Sequence, residues 1–531
     1  MNFRIIVIFG LLVLIMSCAR RGRPEGGPKD EDKPIMVKTE PEFKSLHFKE
    51  DEIKIYFDEY IKLKDVSSQL IVSPPLKYPP VITPQGTPSK RIIIKIKDTL
   101  QENTTYTFNF GQSIIDNTEG NILDNFKYIF STGDYIDSLE VKGTIRDAFE
   151  LEMIENPTLM LYPVDEIFSD SIIYDEKPTY VGSTLDSLNW NITNIKAGKY
   201  MLIALNDYSK NYKFNPKEDK IGFYSSHITV PSDSTYDISL FNEVLPFKIA
   251  SKPSEVSKGH VIFGYEGDAK DFKVNPISDT APDFKSVSIF DKKTDTLHYW
   301  FNNYETDSIL MAIYNQELLD TVKIKLKAKD IDSLHVGASI RGNLHLRDTF
   351  KLTANVPIME IDTSKFYFIN KDSVEIAYST VLSENKLSVD LNFVKELKST
   401  YALELFPGAI TDLFGIQNDS LKVKFQTKSP TSYCSIFLTL NNIKSYPIII
   451  DLIDDKGDVI VKKYAEQEQE YEFKNLLPSR FKIRIIYDTN RNKKWDSGNF
   501  LLKEQPEEVY YFKNIIVTKA NWEVIESFTV N

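Results

Sequence analysis

The chain is poor in the residues that usually build compact chemical sites. Its 531 residues include 2 cysteines, 6 histidines and 4 tryptophans. Two cysteines make no disulfide framework, and no CxxC, HExxH or P-loop spacing occurs. Glycine is scarce at 21 residues, which excludes collagen-like and low-complexity chains. Lys and Arg total 64 against 76 Asp and Glu, a net charge of −12 that excludes nucleic acid as a general partner. Long hydrophobic runs are missing apart from one at residues 5–16. What is abundant is Phe (33) and Tyr (28), within a hydrophobic fraction of 42%. At roughly 100–200 residues per domain, the length corresponds to about three to five domains.

The apolar run follows Arg4 and is interrupted only by Gly10. A bilayer span needs about 20 apolar residues, so this run reads as a signal-peptide core instead. It ends in Leu14-Ile15-Met16-Ser17-Cys18, which resembles a bacterial lipobox. The resemblance implies removal of residues 1–17 and a lipid thioether on Cys18, with the membrane as partner through that lipid. Residues 19–34 are polar and rich in Gly and Pro, the composition of a flexible tether. The expected location is lipid-anchored at the outer membrane. Arg20, Arg21 and Arg23 come before the acidic run Asp30-Glu31-Asp32, so the periplasmic face and the cell surface both stay open. With Cys18 lipidated, Cys434 has no disulfide partner and reads as a small core residue.

The dominant pattern after residue 34 is apolar alternation with period two. Ile53, Ile55 and Phe57 show it, as do Ile92, Ile94 and Ile96; Tyr106, Phe108 and Phe110; and Phe481, Ile483 and Ile485. Residues at i, i+2 and i+4 share one face of a strand, so these are half-buried strands. Long amphipathic helices are nearly absent, and many short strands argue for β-sandwiches. Two internal repeats set the organisation. Residues 106–133 match 401–428, aligning Asp116 with Asp412 and Thr132 with Thr427. Residues 190–215 match 471–496, aligning Asn194 with Asn475, Asp207 with Asp488 and Phe214 with Trp495.

The first repeated unit resembles the bacterial Ig-like domain of the SbsA type. The resemblance rests on Pro41, the strand at 53–57 with Asp58-Glu59 after it, the segment 70–75 (LIVSPP) and the strand at 106–110 (YTFNF). The tether at 26–30 (GGPKD) is similar to that of Bacteroidota lipoproteins built on this domain. The second repeated unit resembles transthyretin-like or carboxypeptidase-regulatory-like sandwiches, through an apolar-x-Asn-apolar turn followed by Gly198-Lys199-Tyr200; in its second copy Ser479 stands in place of that glycine. The resulting expectation is an all-β chain of serial Ig-like and transthyretin-like sandwiches behind a lipoprotein signal peptide. Its pieces are a signal at 1–17, a tether at 18–34, an Ig-like domain at 35–135 and a transthyretin-like sandwich at 137–243. A β domain of unassigned type follows at 244–335, then a second Ig-like domain at 336–428 and a second transthyretin-like sandwich at 429–531. End to end, such units would reach on the order of 150 Å.

Two Asx-rich loops are the candidate sites. One reads Asp488-x-Asn490-x-Asn492-x-Lys494-x-Asp496. Its oxygen side chains at positions 1, 3, 5 and 9, with the Lys494 carbonyl at 7, suit calcium. The other carries Asp207, Ser209, Asn211 and Asn215, with Glu218 at position twelve. The competing reading is a turn whose side chains serve its own backbone. The six histidines (His47, His227, His260, His298, His335 and His345) are scattered with none at a ligand spacing, and read as surface or strand-edge residues. No catalytic constellation is visible. The expected role is a non-catalytic binding or scaffolding module of the cell envelope. The alternatives are an accessory subunit of an outer-membrane assembly or secretion machine, and a glycan-binding or glycan-active surface protein.

Overall fold

The computed structural model describes residues 30–151, 154–184, 188–304, 306–316 and 318–530. Cys18 and most of the tether lie outside them. The chain is nearly all β, and no helix among the described residues is long and apolar enough to cross a membrane. It divides into two compact units.

The first unit begins with a sandwich. One sheet runs Met36–Glu40, Glu52–Leu63, Ser89–Lys95, Val81–Thr83, and the facing sheet runs Ile71–Ser73, Thr105–Asn109, Lys127–Ser131. The alternating residues point into the space between them. Ile53, Ile55, Phe57, Ile92, Ile94, Phe108, Phe110, Tyr128 and Phe130 are all buried in one cluster. A second sheet in this unit orders Gly198–Asn206, Thr158–Pro163, Tyr180–Thr184, Asn189–Ile195 and Leu139–Asp147.

Alternation predicts a solvated polar face on Thr105–Asn109, yet all five residues of that strand are buried. Its polar face meets the second sheet. Thr105 Oγ1 donates to Asp137 Oδ2 at 2.9 Å and Thr107 Oγ1 to Asn194 Oδ1 at 3.1 Å. Asn194 in turn donates to the Asp137 carbonyl at 2.7 Å. On the neighbouring strand, Lys127 Nζ reaches Thr193 Oγ1 at 3.2 Å, and burial pushes its ammonium below the usual lysine range. Each polar group here is matched because an unpaired one away from water would cost about 1–3 kcal/mol.

The second unit holds three sandwiches. In the first, His260–Glu266, Thr296–Phe301 and Ser286–Asp291 face Lys273–Pro276, Ser308–Asn315 and Leu318–Lys325 across a core of Phe263, Leu297, Tyr299, Met311 and Ile313. In the next, Phe350–Ala354 and Ser388–Phe393 face Thr400–Leu405 and Leu421–Thr427 around Phe350, Leu391, Tyr401 and Phe425. In the last, Cys434–Asn441 lies between Tyr471–Leu476 and a parallel Glu523–Thr529. This sheet faces Ile448–Asp454 and Arg480–Tyr487. Cys434 is buried in that core.

Matched segments carry matched bonds. Tyr106 Oη accepts from Gln101 N at 2.9 Å, and Tyr401 Oη from Glu396 N at 2.7 Å. Thr132 Oγ1 accepts from Thr104 N at 2.9 Å, and Thr427 Oγ1 from Ser399 N at 3.1 Å. Asn194 and Asn475 both take the left-handed conformation, at φ 62° and 55°. Asn tolerates that region better than most residues.

The last sandwich of the second unit is not a free end, as an end-to-end stack would make it. Arg484 and Asp451 are cross-strand partners, both buried, with Arg484 Nη2 at 2.7 Å from Asp451 Oδ2. The guanidinium lies 4.0 Å from the ring centroid of Phe149, and Tyr511 Oη donates to the Phe149 carbonyl at 2.8 Å. The Phe149 ring also packs against Trp495, with centroids 4.7 Å apart. Nearby, Phe500 N donates to Glu243 Oε1 and its ring packs on Phe223. Residues of segments 146–150, 214–225 and 239–243 therefore clasp the last sandwich within this unit.

This arrangement makes a sharp prediction. Asp451→Ala strands a buried guanidinium and costs about 3–5 kcal/mol, whereas Asp451→Leu combined with Arg484→Met recovers most of that loss. Urea unfolding followed by tryptophan fluorescence reads both variants.

Candidate functional site

Two parallel demands shape residues 488–496. The chain must reverse direction after the strand Arg480–Tyr487, and the reversal leaves backbone N–H groups without partners in the sheet. Asp488, fully buried, satisfies two of them: Oδ1 accepts from Asn492 N at 3.0 Å and Oδ2 from Lys493 N at 2.9 Å. Asn492 Oδ1 accepts from Lys494 N at 3.0 Å. Arg491 and Lys493 take up the left-handed conformation that wraps the backbone around the carboxylate, each at φ 64°. Asn490 and Asn492 turn their amide nitrogens to Asp496 Oδ2, at 2.7 and 2.5 Å, and Lys494 Nζ lies 3.2 Å from Asp496 Oδ1. Burial pushes the Asp496 carboxyl upward, but these three donors outweigh it and hold the group below the usual range.

Sequence spacing missed the residue that ties the loop shut. Glu507, buried, accepts through Oε1 from Thr489 N and Oγ1 at 2.6 and 2.8 Å, and through Oε2 from Asp496 N at 3.1 Å. Its carbonyl accepts from Trp495 Nε1 at 3.0 Å. Glu507 sits beside Glu508 in a polar stretch, and nothing in its spacing marks it out.

In the other loop, Asp207 repeats the arrangement. Oδ1 accepts from Asn211 N at 3.2 Å and Oδ2 from Tyr212 N at 2.7 Å, with Lys210 and Tyr212 left-handed at φ 52° and 61°. Asn211 Oδ1 accepts from Lys213 N at 2.7 Å, and Ser209 lies in the same turn. Asn215 and Glu218 belong to the second compact unit, whereas Asp207, Ser209 and Asn211 belong to the first. Asn215 N donates to Asp219 Oδ2 at 2.8 Å and its carbonyl accepts from Glu218 N at 3.0 Å.

In both turns the first aspartate acts as a backbone cap. Calcium bound at 488–496 would require the Asn490 and Asn492 amides to turn their oxygens inward and Lys494 to leave Asp496. Among the described residues, no three His, Cys, Asp or Glu side chains are grouped to hold a metal. Cys18 lies outside the described residues.

The histidines depart from expectation. His260 and His298 are 38 residues apart, yet the pairings His260↔Trp300 and Ile262↔His298 put them on one face of adjacent strands. His260 Nε2 is 2.9 Å from His298 Nδ1, and the His260 ring stacks on Trp300 with centroids 3.5 Å apart. His260 is buried, not at the surface. Asp332 Oδ2 stands 3.9 Å from His260 Nδ1 and accepts from Ser257 Oγ at 2.8 Å. Burial, reinforced by His298 and opposed by Asp332, pushes His260 down to about 4. Burial also lowers His298, against the pull of Asp291.

With this geometry in place, the comparisons are narrow. The bacterial Ig-like domain family (Big_5) matches residues 30–132, so that segment is similar to such a domain. No curated protein matches the chain. Among solved structures, the chain is similar to the S-layer protein SbsC at 11% identity, covering 93% of this chain and 68% of that one with a TM-score of 0.14. The Bacillus anthracis TIE protein shows 10% identity over 95% and 76%, at 0.14. The titin I-band fragment I67–I69 shows 11% over 54% and 99%, at 0.13. Scores this low bear on neither arrangement nor role.

Two outcomes follow from the site. Asp488→Ala leaves Lys493 N without its acceptor and Asn492 N with only Asn490 Oδ1 at 3.1 Å, and costs about 1–3 kcal/mol, read as a lowered melting temperature. His260 is neutral in the fold and protonates in the unfolded chain below its ordinary 6.5. Its contribution is therefore full above pH 6.5 and is lost as pH falls toward about 4, a loss of up to about 3 kcal/mol. Urea midpoints at pH 7 and 4.5, taken in chelator, show this slope, and His260→Phe flattens it.

Proposed function

We propose that the protein is a non-catalytic, lipid-anchored module of the cell envelope that holds β-sandwiches fixed to their neighbours within each compact unit, for binding or scaffolding. The observation that carries this reading is the way sandwiches are fixed to their neighbours inside each unit. Thr105 and Thr107 lock one junction through Asp137 and Asn194. Arg484, Trp495 and Tyr511 lock another through Phe149. A third is apolar, with Trp300, Val287 and Ile289 packed on Val356, Leu413 and Phe414. Freely hinged beads do not need such contacts, whereas a platform that offers sheet edges and loops at fixed spacings does. The bacterial Ig-like domain at 30–132 and the lipobox-like Ser17-Cys18 support a place in the envelope, at the outer membrane.

Two experiments test the proposal. Cys18→Ser shifts the protein from the membrane fraction to the soluble fraction; continued membrane association would contradict the anchor. A mild-detergent pull-down of the full-length protein from its own membranes then identifies what it holds. A stoichiometric outer-membrane protein makes it an accessory subunit of a machine, and recovered polysaccharide makes it a glycan-binding surface protein. Hydrolysis of any recovered glycan, abolished by one carboxylate substitution, would overturn the non-catalytic reading.

A further inference from the structure

The pair His260–His298 is unlike the other histidines, because two ring nitrogens face each other across neighbouring strands with a carboxylate behind one of them. We propose that His260 Nε2 and His298 Nδ1 form a two-nitrogen site for a divalent transition-metal ion, copper(II) first, with water completing the coordination.

The argument starts from tautomers. The carboxylate of Asp332 faces His260 Nδ1, which has no hydrogen-bond partner of its own although the residue is buried. A lone pair on Nδ1 would face that negative charge, so the proton belongs on Nδ1. Nε2 then accepts the hydrogen bond from His298 Nδ1–H at 2.9 Å, the bond that an ion would replace. A carboxylate behind the distal ring nitrogen of a ligating histidine is the usual way proteins orient such a ligand and raise its basicity. Ser257 Oγ, at 2.8 Å from Asp332 Oδ2, holds the carboxylate in turn. On the other side, neutral His298 offers Nδ1 to an ion once its own proton moves to Nε2. His298 is only half-buried, which gives an ion and its water ligands a way in.

The spacing selects the kind of ion. Metal–nitrogen bonds to imidazole are about 2.0–2.1 Å long. Two such bonds spanning the 2.9 Å between the nitrogens meet at about 90°. That is the angle between neighbouring ligands in a square-planar or tetragonal centre, the geometry of copper(II) and nickel(II). A tetrahedral zinc ion would need the nitrogens about 3.3 Å apart. Copper(II) also stands highest in affinity for nitrogen sites among the first-row divalent ions. The stack of His260 on Trp300 limits ring rotation and puts a fluorophore next to the ion.

The test uses tag-free, metal-stripped full-length chain carrying Cys18→Ser, titrated with copper(II) sulfate. The expected result is one ion per chain, quenching of tryptophan fluorescence, and an electron paramagnetic resonance signal split by two equivalent-class nitrogens. His298→Ala weakens binding by about 100-fold, and Asp332→Asn by about 10-fold, in line with outer-partner effects at metal sites. His298→Gln retains a hydrogen-bonding side chain at a half-exposed position, so it separates loss of the ligand from loss of the fold. Binding that is equal in wild type, His298→Ala and His298→Gln would overturn the proposal. So would the absence of any one-to-one copper site in the wild type.

Discussion

A guanidinium out of water is the constraint around which the C-terminal part of this protein is arranged. Arg484 lies on a central strand of the last sandwich, where its side chain is almost wholly hidden from solvent. Burying an isolated charge is prohibitive unless it is paired and hydrogen-bonded. Asp451 on the neighbouring strand supplies the counter-charge, Tyr511 supplies an oxygen to Nη1 at 3.3 Å, and the Phe149 ring covers the open face. Each partner comes from a different part of the sequence, so the charge is satisfied only when the strands are in register and the turn at 147–150 is seated. That turn is itself preformed, since Asp147 Oδ1 accepts from Phe149 N and Glu150 N at 2.9 and 2.8 Å. One oxygen of Asp451 has no partner, and for that reason the pair is better understood as specifying the docked arrangement than as a source of stability.

The same economy of polar groups governs the other junctions. In a solitary sandwich the outward positions of Thr105–Asn109 would face water. Here they face another sheet, and Thr, Asn and Asp side chains provide short, directional bonds in place of apolar contact. Polar junctions of this type hold a fixed geometry while costing little if the neighbouring surface is briefly exposed. The apolar junction around Trp300 works differently, through burial, and it places His260 and His298 beside the packed ring. The acid-sensitive histidine and the proposed metal site therefore share this junction.

Much of the architecture can be read from residue order because it is local. Period-two alternation at Ile53, Ile55 and Phe57 follows from the pleat, and those side chains are fully or nearly fully buried. The capping role of Asp488 and Asp207 is visible too, since an aspartate at the end of a strand followed by alternating Asn reaches its own backbone within a few residues. What could not be read is long-range. His260 meets His298 only because two strands pair in one register. Glu507 closes a loop that begins 19 residues earlier. Phe149 finds Trp495 and Arg484 through contacts spanning most of the chain. Alternation tells which face of a strand is polar. It does not tell whether that face meets water or a neighbouring sheet, and Thr107 and Asn109 show how the second case escapes notice.

The central claim is that the last sandwich is clasped by segments from the middle of the chain. The direct measurement is cross-linking of paired cysteines placed at Asn242 and Ser497, whose main-chain and side-chain oxygens are in contact. In the full-length chain carrying Cys18→Ser, a short bis-maleimide is predicted to join the two positions within one molecule at high yield. The same yield should fall sharply when Phe149→Ala removes the ring from beneath Arg484. If both thiols react fully with a monofunctional maleimide yet no intramolecular cross-link forms, the clasp does not exist and the account of a fixed platform fails.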